Sequence, residues 1–202
     1  MNAISNKYSS TCFVITPFGK PGSEACLHSD TLRNLVLSPV LVGMRVIRSN
    51  DVYHKGPWYV KMCEYLKTAD LCVADLSSMN PNCMFEIGYR CLLEERVEDK
   101  HTILICPEME SENVPSDIES LQIIYYKDIN DELNRKILRG KIKDAYEDLV
   151  NEGKINQGVS AKGMSYGEDS ALETNVLMSD TSKTFDIMPK IMMHAGNRIS
   201  KW

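Results

Sequence analysis

Five short apolar runs recur along the chain: Thr11 to Thr16, Met44 to Ile47, Leu71 to Ala74, Thr102 to Cys106 and Leu121 to Tyr125. Each is too short for a helix and nearly continuous rather than alternating, the pattern of strands buried on both faces. Between them the apolar residues fall at helical spacing. Leu32, Leu35 and Val36 form one such set, Val60, Cys63, Tyr65 and Leu66 a second, and Leu133, Ile137, Ile142, Tyr146 and Leu149 a third. A further helix opens at Pro81 behind Asn80, because proline suits a first helical turn and asparagine caps it, and it runs to Glu94. Strands alternating with helices predict an α/β fold: a doubly wound, mostly parallel five-stranded sheet of the flavodoxin or Rossmann type.

The breakers set the boundaries. Pro17-Phe18-Gly19 ends the first run, and Lys20 to Ser29, with Pro21 and Gly22, reads as a mobile lid-like loop before a helix capped by Ser29 or Asp30. Pro39 disturbs the later turns of that helix, Gly56-Pro57 opens the next, and Gly140 interrupts the last. Beyond residue 151 no period is sustained. Residues 1–151 are therefore the predicted α/β domain and 152–202 a C-terminal extension, a Gly-rich linker followed by an arm carrying Ile187, Met188, Ile191, Met192, Met193, Ile199 and Trp202. The arm reads either as a segment that packs on the body, a second subunit or a partner, or as a disordered tail.

Charge and cysteine usage narrow the partners. A formal net charge of −5 opposes nucleic acid or an anionic membrane as the main partner. The seven cysteines are an odd number, sit largely in apolar patterns and form no C-x-x-C pair, which predicts free thiols, a cytoplasmic setting and no metal site. The N-terminal stretch lacks the apolar core of a signal peptide, and no apolar run reaches the ~18 residues of a membrane span.

Candidate chemistry gathers after the strands, because a parallel sheet sends those loops to one edge. Phe18 and Gly19 follow the first strand, Arg48 and Asp51 the second, and Asp75, Asn80 and Asn82 lead from the third into the helix that carries Glu86. Arg48 reads as a contact for a phosphate or as a surface arginine, and Asp51 as an acceptor for ribose hydroxyls or as a turn residue. Asp75 either holds its loop or positions a sugar. Asn80 or Asn82 would orient that sugar. Trp58 stacks on a base or anchors its helix, and His54 reads as solvated. Glu86 is either a helix-start acid favoured by the dipole or a functional carboxylate. Its apolar neighbours Met84, Phe85 and Ile87 favour the second reading, since a charge among them needs a partner, a ligand or a raised pKa.

The segments A-D-L-C-V-A-D-L at 69–76 and N-P-N-C-M-F-E-I-G-Y at 80–89, with C-F-V-I-T-P-F-G at 12–19, resemble the nucleoside 2-deoxyribosyltransferase-like superfamily, which is related in fold to TIR-type NAD hydrolases. The resemblance implies that Glu86 is a nucleophile or oxocarbenium stabiliser, and that Phe18 and Gly19 line the base and ribose pocket together with Met84 and Tyr89 of the second segment. It implies cleavage of an N-glycosidic bond in a nucleoside, nucleotide or NAD-type dinucleotide, with no cofactor, and an assembly of identical subunits. N-P-N-C-M-F stands where characterised transferases carry a D-x-G-T type segment, which shifts the expectation from base exchange toward a nucleotide or NAD hydrolase. Such relatives serve nucleotide turnover or phage defence. The alternative is a nucleotide-binding sensor or adaptor that uses the same pocket without turnover. A P-loop enzyme is excluded, because no G-x-x-x-x-G-K-[ST] is present.

Overall fold

A computed structural model describes residues 10–51, 58–94 and 101–155. The strands are β1 Ser10–Ile15, β2 Met44–Arg48, β3 Leu71–Asp75, β4 His101–Pro107 and β5 Ile123–Tyr126. They form one sheet in the order β2-β1-β3-β4-β5, and every neighbouring pair is parallel. "Mostly parallel" therefore becomes wholly parallel. The winding reverses between β1 and β3, which is where folds of this strand order bind their ligands.

The helices are α1 Glu24–Thr31, α2 Ser38–Val40, α3 Trp58–Thr68, α4 Pro81–Glu94, α5 Ser116–Glu119 and α6 Glu132–Asn151. A π-helical stretch, Leu32–Leu37, joins α1 to α2, and the first cluster of core side chains sets Leu32, Val36 and Leu37 with Leu138, Ile142 and Tyr146 of α6 against Cys12, Val14, Leu71, Val73, Ile103 and Ile105 of the sheet. On the other face Met62 and Leu66 of α3 and Cys83 and Ile87 of α4 pack on Phe13, Ile15, Cys72, Ala74, Leu104 and Cys106. Alternate residues along each strand thus feed two separate cores, which is why the strands read as continuous apolar runs. Phe13 and Tyr65 stack within the second core, their ring centroids 5.5 Å apart.

Several boundaries move from their sequence-based positions. Lys20 to Ser29 is not a loop throughout: Ser23 caps α1 by accepting from the Cys26 amide, so the helix starts nearly two turns before the Ser29 or Asp30 caps. That earlier start is what brings His28 onto a helix. Pro39 lies in α2, straight after the π-helical stretch, and the helical run ends at Leu41. In α6 the buried stripe is Leu138, Ile142 and Tyr146, while Leu133 and Ile137 are exposed, and Gly140 does not break the helix because it faces outward. In α3, likewise, Met62 and Leu66 are buried and Val60 is exposed. Lys141 of α6 donates to the Tyr125 carbonyl of the outermost strand β5 at 2.8 Å.

Arg90 of α4 has no exposed surface. Its guanidinium donates to the carbonyls of Leu66 at 2.6 Å, Ala69 at 3.0 Å and His101 at 3.1 Å, and to Glu94 at 3.3 Å. One side chain therefore ties the end of α3 to the starts of β3 and β4. No described helix is long and apolar enough to cross a membrane. His54 and the C-terminal arm lie outside the described residues.

Candidate functional site

The site is built where β1 and β3 end. Register pairs Ile15 with Ala74, so the next residues, Thr16 and Asp75, leave the sheet side by side. Asp75 is fully buried yet well provided with donors. His28 Nε2 lies 2.8 Å from its Oδ2, Tyr126 Oη donates to Oδ1 at 3.1 Å, and Ser77 gives its amide at 3.1 Å and its hydroxyl at 2.8 Å. Thr16 Oγ1 adds a longer contact at 3.4 Å. Tyr126 Oη is also 3.3 Å from His28 Nε2, which closes a three-residue cluster drawn from α1, β3 and β5.

His28 is the group in this cluster that can carry a positive charge. Burial pushes its pKa down, but the hydrogen bond and charge of Asp75, helped by Glu24 and Glu110, more than offset this, and the net shift is upward. The Tyr126 hydroxyl is held far above its usual range by burial and by Asp75. The chain between β3 and α4 is strained, since Ser78 and Met79 adopt φ of 55° and 41°, where side chains are rarely found. Glu110 holds that turn by accepting from the Ser78 amide at 2.8 Å.

Glu86 lies in the second turn of α4 and is 5% exposed. None of the described residues donates a hydrogen bond to its carboxylate, and Arg90, one turn further along, points its guanidinium at backbone carbonyls instead. Burial alone lifts the Glu86 pKa from 4.5 to about 7. Cys83 links the two acidic residues. Its thiol is raised first by burial and then by the charges of Glu86 and Asp75, so both carboxylates act on the same opening turn of α4.

The remaining sequence candidates divide into those open to a ligand and those already engaged. Phe18 is 44% exposed beside the β1 terminus. Asn82 is exposed, while Met84 and Tyr89 are half-buried, and burial takes the Tyr89 hydroxyl up to about 12. Asn80 caps α4, its Oδ1 accepting from the amides of Asn82 and Cys83. Gly19 has a packing reason of its own: a Cβ there would collide with Ser23 Oγ, the cap of α1. Arg48 is buried rather than on the surface, donating to Asp51 on both carboxylate oxygens, to Asp30 at 2.7 Å and to Ser29 at 3.0 Å. Arg33 also approaches Asp51 at 3.3 Å. Arg48 and Asp51 thus satisfy each other, and the network fixes the loop after β2 to α1.

His28 and Tyr126 were missed by sequence reasoning, the first because its segment reads as a loop and the second because it reads as lying past the end of β5. The signal for His28 was the cap itself, Ser23 followed by Glu24, which places the histidine in the helix proper. No protein-family model matches the chain, and no curated protein is similar enough to count as a relative.

A ligand resting on the β1 terminus would use Phe18. Phe18→Ala is expected to weaken its binding by about 1 to 3 kcal/mol, the worth of an aromatic contact, with no change in the melting temperature. Titration calorimetry with a compound that binds the wild-type protein measures this, and an unchanged affinity would take Phe18 out of the site.

Proposed function

We propose that this protein cleaves the N-glycosidic bond of a nucleoside, a nucleotide or an NAD-type dinucleotide, with Glu86 as the carboxylate that meets C1′ of the sugar. The observation that carries this reading is a buried glutamate that receives no hydrogen bond from the described residues, beside Cys83 and Ile87 on the inner face of a helix just past the reversal of the sheet. A carboxylate in that setting is poorly solvated, and an electropositive sugar carbon supplies what the protein does not. It either forms a glycosyl ester or stabilises an oxocarbenium-like transition state. Water then releases the sugar, so hydrolysis is the favoured outcome over base exchange. No resident cofactor is required for this chemistry.

The resemblance of 69–76 and 80–89 to the deoxyribosyltransferase-like superfamily supports the same assignment. A binding-only sensor would hold the same ligands without turnover. Incubating the protein with NAD and a panel of nucleosides and nucleoside monophosphates, and following release of the free base by liquid chromatography, separates the two. Base release is expected. Binding of a panel member with no release over hours at micromolar protein would leave the sensor.

A further inference from the structure

Beyond Glu86, glycosidic cleavage raises the question of what receives the electron pair of the breaking C1′–N bond. Nicotinamide leaves as a neutral molecule, because its pyridinium nitrogen takes up the pair. A purine or pyrimidine leaves as an anion unless a proton reaches it, so an enzyme for those substrates needs an acid on the base side.

The described residues hold one group suited to that task. His28 Nε2 is committed to Asp75 at 2.8 Å and touches Tyr126 Oη at 3.3 Å, while Nδ1 makes no hydrogen bond to any described residue. The His28 side chain is 21% exposed, whereas that of Asp75 is 0% exposed. The cluster is thus closed at the carboxylate and open at the imidazole. Asp75 itself is fully engaged, its oxygens filled by donors from His28, Ser77 and Tyr126. It is well placed instead to keep a cation beside it, as the aspartate of a catalytic triad does for its histidine.

We propose that His28 is the general acid of the reaction, donating from Nδ1 to a departing neutral nucleobase, and that the natural substrate is therefore a purine or pyrimidine nucleoside or nucleotide rather than NAD. The inference rests on the reading of Glu86 given above. As the C1′–N bond breaks, its electron pair passes to the base and the Nδ1 proton of His28 goes to a ring nitrogen, while a Glu86 oxygen forms or nears a bond to C1′. Water next attacks C1′, the C1′–oxygen pair returns to Glu86, and the proton lost by that water restores the His28 imidazolium. Asp75 and Tyr126 are positioning residues that fix the ring and its charge.

The charged and titratable groups that face His28 are Asp75 from β3, Tyr126 from β5, Glu24 from its own helix and Glu110 from the turn after β4. The acidic groups all favour the imidazolium, so activity on a neutral base is expected to decline as rising pH strips that proton from His28, and to decline on the acid side as Glu86, which must be ionised to meet C1′, takes up its own.

The test is His28→Gln, which keeps a donor for Asp75 and removes the titrating ring. Wild type and variant are assayed on guanosine, adenosine, cytidine, their 5′-monophosphates, 7-methylguanosine and NAD. 7-Methylguanosine carries a cationic base that needs no proton to leave. The variant is expected to lose about 100-fold or more in kcat on the neutral-base substrate, with KM little changed. Its ratio of 7-methylguanosine to guanosine turnover is expected to rise at least ~30-fold, and the alkaline limb of its pH profile to disappear. Equal losses on all leaving groups, with a lowered melting temperature, would reduce His28 to a structural residue. Cleavage of NAD alone by the wild type would overturn this inference while leaving the proposed function standing. Absence of cleavage for every compound would remove both.

Discussion

Glu86→Gln is expected to abolish base release, by roughly 1,000-fold or more, and in the same protein to raise stability above neutral pH. The amide keeps the shape of the side chain but can neither bond to C1′ nor oppose its developing charge. The stability gain follows from burial. In the native chain the carboxyl titrates near 7 instead of 4.5. Between those values the folded protein holds a proton that the unfolded chain has released, so stability falls as pH rises through the window and levels off above it. The displacement corresponds to ~3 kcal/mol, and for a chain of this size a kilocalorie moves the melting temperature by roughly 2–4 °C. The glutamine variant should accordingly melt several degrees above wild type at pH 8 and about level with it at pH 5. Activity within about tenfold of wild type would remove Glu86 from the mechanism. A gain of the same size at both pH values would show that ionisation of a buried carboxyl is not its cause.

Replacing Arg90 is expected to have the largest effect on folding. Arg90→Met fits a similar volume but leaves the Leu66, Ala69 and His101 carbonyls without their donor and Glu94 without its cation. Removing one member of such a buried network costs about 3–5 kcal/mol, because the polar groups left behind stay desolvated. Arg90→Lys should recover only part of this, since a single ammonium cannot reach the spread of acceptors that the planar fork serves. Urea unfolding followed by circular dichroism measures both variants. A loss below about 1 kcal/mol for the methionine variant would mean that water replaces the guanidinium and that the three elements do not depend on it.

Much of the architecture was legible because each strand is buried on both faces, so the apolar runs marked β1 to β5 to within about two residues. Glu86 was legible for a related reason, a charge standing among apolar positions of a helix. Arg90 obeys the same rule: it falls on the inner face with Cys83, Glu86 and Ile87, and the spacing would have exposed it. His28 and Tyr126 could not be placed that way. Their meaning depends on Asp75, which is 47 and 51 positions away along the chain, and only the packing of α1, β3 and β5 brings the three together. Arg48 and Asp51 illustrate a different limit. Both lie where the sheet delivers ligand contacts, but a partner three residues away satisfies them first. The misread stripe of α6 has a plain origin, since Leu133 and Ile137 belong to the same helix as Leu138 and Ile142 and differ from them only in angle.

The lysine contact at the margin of the sheet bears on how the molecule avoids its own copies. β5, Ile-Ile-Tyr-Tyr, is uncharged, rich in β-formers and, among the described residues, paired on one side only, the makeup of a strand that recruits another strand. Lys141 meets its Tyr125 carbonyl with an ammonium, and Lys127 follows immediately after the strand. A second chain adding there would have to displace the first charge and lie beside the other. Two lysines thus stand where gatekeepers against edge-to-edge aggregation are placed, and neutralising them would remove that protection.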